Sequence, residues 1–288
     1  MNGLKITFSS SLTNFNYAFY QSDITSIPNI DYSTKTSFQR AFYGCANLSS
    51  VSNVNLSSAT NAQEIFMSCS NLSSVSNVNL SSATNCSQTF IYNYKLTSVD
   101  NVDMRSATNC SNMFQSDTSL VSCNSLNIDS ATSVSGMFRN CWKLESIGNI
   151  DFHNVSGSGF NDTFNGCSSL TYLPALKLSK LGNIERAFQS CSALVTIEEI
   201  DLSGVTYSSW PFQYCSALTN ITFVGTIKTN FNFSSSNNLT VESLMSIINA
   251  LQNRSSTSSQ TFVLGATNLA KLTAEQIAVA TNKNWVLS

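Results

Sequence analysis

The chain has 288 residues, of which 10% are charged, and carries a net charge of −2. That balance lacks the positive field that holds nucleic acid or an anionic membrane, which excludes nucleic acid as a partner. With 42% hydrophobic residues and three prolines the chain is no disordered linker, and no run of about 18 apolar residues exists for membrane insertion.

From the N-terminus, Met1 to Ser10 carry one lysine and no apolar core of signal-peptide length, so no secretory signal is read there. Leu4-Lys5-Ile6-Thr7-Phe8 reads as a strand with nothing before it to cover its open face. An uncovered strand edge is normally blocked or used, so this end is expected to abut a preceding domain, a second copy, or another virion or surface protein.

A phenylalanine then returns at spacings of 23 to 26 residues: Phe19, Phe42, Phe66, Phe90, Phe114, Phe138, Phe164, Phe188 and Phe212. Around each the frame F-x-x-C-x-x-L-x-x-V-x-x-V-x-L recurs, as in Phe42, Cys45, Leu48, Val51, Val54 and Leu56. Apolar residues at fixed phase separated by Ser, Asn and Thr describe one coil of a solenoid, which buries its inner face only against neighbouring coils. Segments such as Val54-Asn55-Leu56, Val78-Asn79-Leu80 and Val102-Asp103-Met104 alternate as half-buried strands do and should pair in register with the next coil. The Ser-Ser-Ala-Thr-Asn that follows is turn chemistry, and Asn61, Asn85, Asn109 and Asn183 are expected to satisfy turn backbone.

The pattern ends at Val224, dividing the chain into a repeat solenoid, 1–224, of about nine 24-residue coils and a C-terminal cap, 225–288. In the cap, Leu244, Ile247, Ile248 and Leu251 follow helical spacing from an N-cap at Thr240. Thr261 to Leu264 reads as a strand, Thr273-Ala274-Glu275-Gln276 as a capping box that starts a second helix, and Trp285-Val286-Leu287 as a last strand.

Of nine cysteines, Cys45, Cys69, Cys141, Cys167, Cys191 and Cys215 sit three residues after the repeat Phe. That phase stacks them as reduced thiols inside the coils, where cysteine behaves as a small hydrophobe. No C-x-x-C pair or Cys/His cluster points to a metal, and no cofactor motif is present. The only histidine, His153, takes a position that Ser57, Ser81, Arg105 and Asp129 occupy elsewhere, so it is expected at an exposed strand edge. No nucleophile elbow, Gly-rich loop or H-E-x-x-H accompanies it, and the chain reads as no enzyme.

The phrase A-F-x-x-C-x-x-L-x-x-V, followed by an aliphatic-x-aliphatic strand, resembles the BspA-like leucine-rich repeats of bacterial surface proteins and of phage tail-associated proteins with similar arrays. The resemblance covers about Asn14 to Val224. It implies a leucine-rich-repeat solenoid of α/β type, mostly short parallel strands and turns, with a C-terminal α/β capping module. It implies also adhesion to host cells or surfaces, in an extracellular, cell-surface or virion setting.

Binding is the reading the residues favour, because the frame is constant while the outward positions differ. One outward row runs through Asn53, Asn77, Asn101, Ser125, Asn149, Ala175 and Glu199, another through Asn55, Asn79, Asp103, Asn127, Asp151, Lys177 and Asp201. A polar, weakly charged ladder suits a host or cell-surface protein or glycan. Trp142, Tyr172, Trp210 and Tyr214 add aromatic anchors. A structural spacer and a hydrolase acting on a surface polymer are the competing readings.

Overall fold

The computed structural model describes Ser9 and residues 11–288, so the expected strand Leu4–Phe8 lies outside the described residues. The rest is a parallel β-solenoid whose coils each have two arms. One arm is the Phe segment. Its even-phase amides reach the next coil: Phe38, Arg40, Phe42 and Gly44 donate to the carbonyls of Asn61, Gln63, Ile65 and Met67 at 2.8–3.0 Å. Its odd-phase amides close local turns, as Ala41 does to Phe38 and Tyr43 to Arg40. That alternation demands a left-handed residue on either side of the Phe. Two residues before it lie Tyr17, Arg40, Glu64, Gln88, Asn112, Gly136, Asp162, Arg186 and Trp210, and every one has a φ between 49° and 64°. The residue two after it, from Gln21 to Tyr214, is left-handed in every coil too.

Inside this arm the phenylalanines form one column. Phe114 lies between Phe90 and Phe138 with ring centroids 5.4 Å away on both sides and planes tilted by 2° and 11°. The column continues past the last regular coil to Phe233, 4.8 Å from Phe212. The nine cysteines are free and buried, as their phase predicts. Each thiol of the main series ties its coil to the one before, as Cys141 Sγ donates to the Phe114 carbonyl at 3.0 Å and Cys167 Sγ to Phe138 at 3.1 Å. Burial pushes the thiols of Cys86, Cys141, Cys167 and Cys191 well above the ordinary range.

Two coils replace the thiol with larger polar groups. Asn93 Nδ2 donates to the Phe66 carbonyl at 3.1 Å, taking over the thiol's task, and the Asn93 amide donates to Asp117 Oδ1 at 2.7 Å. Both side chains are fully buried. Asn93 Oδ1 and Asp117 Oδ2 have no partner, and burial holds the Asp117 carboxyl well above the usual carboxylate range. A protonated carboxyl brings a donor to the position, which is what the thiols supply when they donate to the Phe carbonyl of the preceding coil.

The second arm is a parallel sheet. Its strands are β1 (Ser50–Asn55), β2 (Ser74–Asn79), β3 (Ser98–Asp103), β4 (Ser122–Cys123), β5 (Leu126–Asn127), β6 (Ser146–Ile147), β7 (Tyr172–Leu173), β8 (Leu176–Lys177), β9 (Thr196–Asp201) and β10 (Asn220–Val224). In β1, Val51 and Val54 both point inward although they are three apart. Strict alternation forbids that; the chain reconciles it with a left-handed Asn53 (φ 54°), repeated at Asn77 (53°) and Asn101 (50°). Asparagine tolerates this region better than most residues, and the kink leaves two successive side chains outward.

The end of the stack is closed as the repeat logic requires. Helix α1 (Val241–Ala250) starts at Thr240, whose side chain accepts from the Ser243 amide. It lies along the outer edge of β10, where Ser243 Oγ and Ser246 Oγ accept from the Ile221 and Phe223 amides at 2.9 and 2.7 Å. Strands β11 (Gln260–Phe262) and β12 (Trp285–Leu287) pair in parallel. Between them run α2 (Ala266–Leu269) and α3 (Ala274–Thr281), the latter opened by the Thr273–Gln276 capping box. Trp285 and Phe262 pack edge to face at 6.1 Å and finish the aromatic column.

Candidate functional site: the exposed face of the sheet

Both outward rows lie on one face. On it, Asn101 Nδ2 donates to Asn77 Oδ1 at 2.6 Å, and Asn77 Nδ2 to Asn53 Oδ1 at 3.0 Å, so strands β1 to β3 carry an ordered amide ladder. Asn149, Ala175 and Glu199 continue the row as exposed residues. The second row has half its polar capacity committed. Asp103, Asp151 and Asp201 each accept through Oδ1 from the amide two residues on, at 2.9–3.2 Å, as Asn55 and Asn79 do. Asp103 also grips Arg105, whose guanidinium holds that carboxyl below its ordinary range. Asp151 Oδ2 lies 2.8 Å from His153 Nδ1, so the histidine is tied to its own turn.

The face is not continuous. The sheet divides into one set containing β1 to β6 and another containing β7 to β10. At the break the Ile150 amide turns back to the Gly148 carbonyl at 2.9 Å, and Pro174 on the far side has no amide. Glycine is the residue that fits at 148, where a Cβ would meet the Asn124 carbonyl at 1.9 Å. Asn149 and Asp151 flank the break on one side, Tyr172 and Lys177 on the other. Lys177 is in register with Asp201, and Tyr172 with Thr196. The Glu198 carboxylate beside the exposed Tyr172 hydroxyl raises the phenol above its ordinary value. Tyr172, Lys177, Glu198, Glu199 and Asp201 thus form one mixed-charge group around a ring. Glu198 carries no repeat signal of its own, and its outward position follows from the burial order of β9.

Three expected anchors lie elsewhere. Trp210 and Tyr214 occupy the left-handed flanks of Phe212, and Trp142 lies four residues after Phe138, where its carbonyl accepts from Ser168 Oγ and Ser169 N. All three are exposed, but none is on a sheet strand, so phase brings them into the array without bringing them to the sheet face. The asparagine turns divide likewise: Asn61, Asn85 and Asn109 each accept from the amide two residues on, at 3.1 Å, whereas Asn183 Oδ1 is buried without a partner. Among the described residues no group of three or more His, Cys, Asp or Glu is placed to hold a metal ion, and no helix is long and apolar enough to cross a membrane.

The BspA type leucine rich repeat region, in six copies, matches residues 135–263, and the family described as Mycoplasma protein of unknown function, DUF285, matches residues 8–125, 36–150 and 69–172. The chain belongs to the DUF285 family over its N-terminal part, and its repeats from 135 to 263 are BspA-like leucine-rich repeats. Members are interaction modules, typically non-catalytic and often surface-exposed. Among solved structures, a leucine-rich repeat protein from Bacteroides ovatus is similar at 17% identity and a TM-score of 0.33, over 98% of this chain and 77% of that one. No curated protein matches the chain.

Proposed function

We propose that the chain is a non-catalytic adhesion or receptor-binding module, displayed on a bacterial surface or a phage tail, which holds a host or cell-surface protein or glycan on the exposed face of its sheet. The observation that supports this is the cluster beside the break: one exposed tyrosine, one lysine and three carboxylates within two neighbouring coils, on a face that over β1 and β2 presents only Ser and Asn. Aromatic rings set among charged groups are the usual energetic centres of an interface. The inter-coil backbone bonds hold that group in place, so little ordering entropy is lost on binding.

The test is a screen of host-surface glycans and surface-protein extracts with wild type, Tyr172→Ala, Glu199→Lys and Trp210→Ala. Binding is expected to weaken about tenfold in the two sheet-face variants, a loss of about 1.4 kcal/mol, and to be unchanged in Trp210→Ala. Loss in Trp210→Ala alone moves the contact to the other arm. Absence of any binding favours the spacer, and release of fragments from a surface polymer would favour the hydrolase.

A further inference from the structure

The sheet's first edge differs from its last. Where β10 is closed by serine hydroxyls of α1, β1 faces a cleft of about 480 Å³ lined on one side by Ser26–Ser33 and on the other by β1 and the residues that follow it. The segment opposite carries Ile27 and Ile30, each 24 residues before Val51 and Val54, so by phase it is the preceding coil's strand. It does not pair. The Ile30 amide turns back onto the Pro28 carbonyl at 3.0 Å, and the Tyr32 hydroxyl donates to that same carbonyl at 2.8 Å.

The missing bonds can be identified from later coils. There the amide equivalent to Ser52 donates backward, as Asn124 does to the Val99 carbonyl. The carbonyls equivalent to Asn53 and Asn55 accept from the coil before, as Ser125 and Asn127 do from the Val102 and Met104 amides. In β1 the Ser52 N–H and the carbonyls of Asn53 and Asn55 have no such partner among the described residues. One donor and two acceptors in a row along an edge are the complement of an extended backbone, not of a sugar ring.

We propose that this edge of β1 is a docking site for an extended segment of a partner polypeptide, which adds to the sheet as a parallel strand. The array itself states which sequence suits the edge. Strand β2 has the same sequence as β1, Ser-Val-Ser-Asn-Val-Asn, and its equivalent edge is covered by β1 in full register. The partner segment therefore carries apolar residues three apart, packed toward Ile27, Ile30 and Val54. Asp31, held ionised by hydrogen bonds from Ser33, is the charged group lining the cleft and favours a neutral or basic segment over an acidic one.

The experiment follows amide exchange in the full chain with a synthetic peptide of the sequence of residues 72–82, a version of it N-methylated at the ladder amides, and neutral oligosaccharides as probes. The Ser52 amide is expected to exchange far faster than the Ser76 amide in the free chain and to slow at least tenfold with the peptide. The methylated peptide is expected to have no effect. Ser52→Pro should keep the wild-type melting temperature, because that amide faces the cleft, yet weaken peptide binding about tenfold, the value of one lost hydrogen bond. A Ser52 amide as slow as Ser76 in the free chain overturns the proposal. So does peptide binding that leaves Ser52 unprotected or survives Ser52→Pro, and so does protection by oligosaccharide in place of peptide.

Discussion

The three strands β1 to β3 and the coils from β4 to β8 follow the same frame but differ in how closely the sheet keeps to it. In the first group each strand runs six residues through a left-handed asparagine, and the outward face is an amide ladder. In the second the strands fall to two-residue pieces, Gly148 and Pro174 interrupt pairing, and Tyr172, Lys177 and the glutamates of β9 appear on the same face. The Phe column passes through both with its rings still stacked, at 5.4 Å for Phe42–Phe66 and 5.5 Å for Phe138–Phe164, and widens only to 5.9 Å at Phe164–Phe188 beside the break. The Phe arm therefore carries the solenoid's rise through the break, and the sheet arm varies where the contacts are proposed.

The most direct way to break that division is to remove a ring from the column. Phe114→Ala is expected to cost about 3–5 kcal/mol, read by chemical denaturation, because both faces of the ring are covered. A variant with wild-type stability would mean that the column does not carry the array. Gly148→Ala, by contrast, tests the sheet arm locally: the clash with the Asn124 carbonyl should cost less than the ring deletion and alter exchange only near β4 and β6.

The Phe column, the thiol ladder, the Thr240 cap and the Thr273–Gln276 box were legible in the sequence because each depends on residue type at a fixed offset. The left-handed flanks were not. They are occupied by Tyr, Arg, Glu, Gln, Asp and Trp, and it is the alternation of inter-coil and local hydrogen bonds that forces φ positive there, against the preference of the side chains. The candidate site divides in the same way. Outward rows follow from the spacing of Val51 and Val54, but phase alone does not separate Tyr172 on the sheet from Trp142, Trp210 and Tyr214 on the other arm. The cleft beside β1 depends on where one amide points, which Pro28 signals only weakly.

A middle-sized effect is expected at the polar interruption of the thiol ladder. Asp117 is fully buried and its folded pKa is raised by desolvation. A raised folded pKa means that the group's contribution is fully present below the unfolded value, about 4, and declines as pH rises toward the folded value. Stability at neutral pH should therefore be lower than at mildly acidic pH through this residue. Asp117→Cys, which restores the donor thiol found at Cys141 in the next coil, should gain about 1–3 kcal/mol near pH 7, the range for relieving a buried unsatisfied group, and flatten the pH dependence. Equal slopes of stability against pH in wild type and variant would show that Asp117 is not the neutral member of the ladder.

The smallest effect separates the two kinds of strand most finely. Asn77 is left-handed at φ 53°, while Ala175, at the same phase in the irregular half, is not among the left-handed residues. A β-branched side chain in the left-handed region costs about 1–2 kcal/mol, so Asn77→Val should destabilise by that amount, whereas Ala175→Val on an exposed position should stay within about 0.5 kcal/mol. Asn77→Val also removes the amide bonds to Asn53 and Asn101, and Asn77→Gly isolates that contribution because glycine keeps the backbone conformation. If the kink sets the six-residue strand, the glycine variant lies closer to wild type than the valine variant. If the exposed amide ladder sets it, the two variants lose the same stability, and the regular half of the sheet owes its length to side-chain bonding.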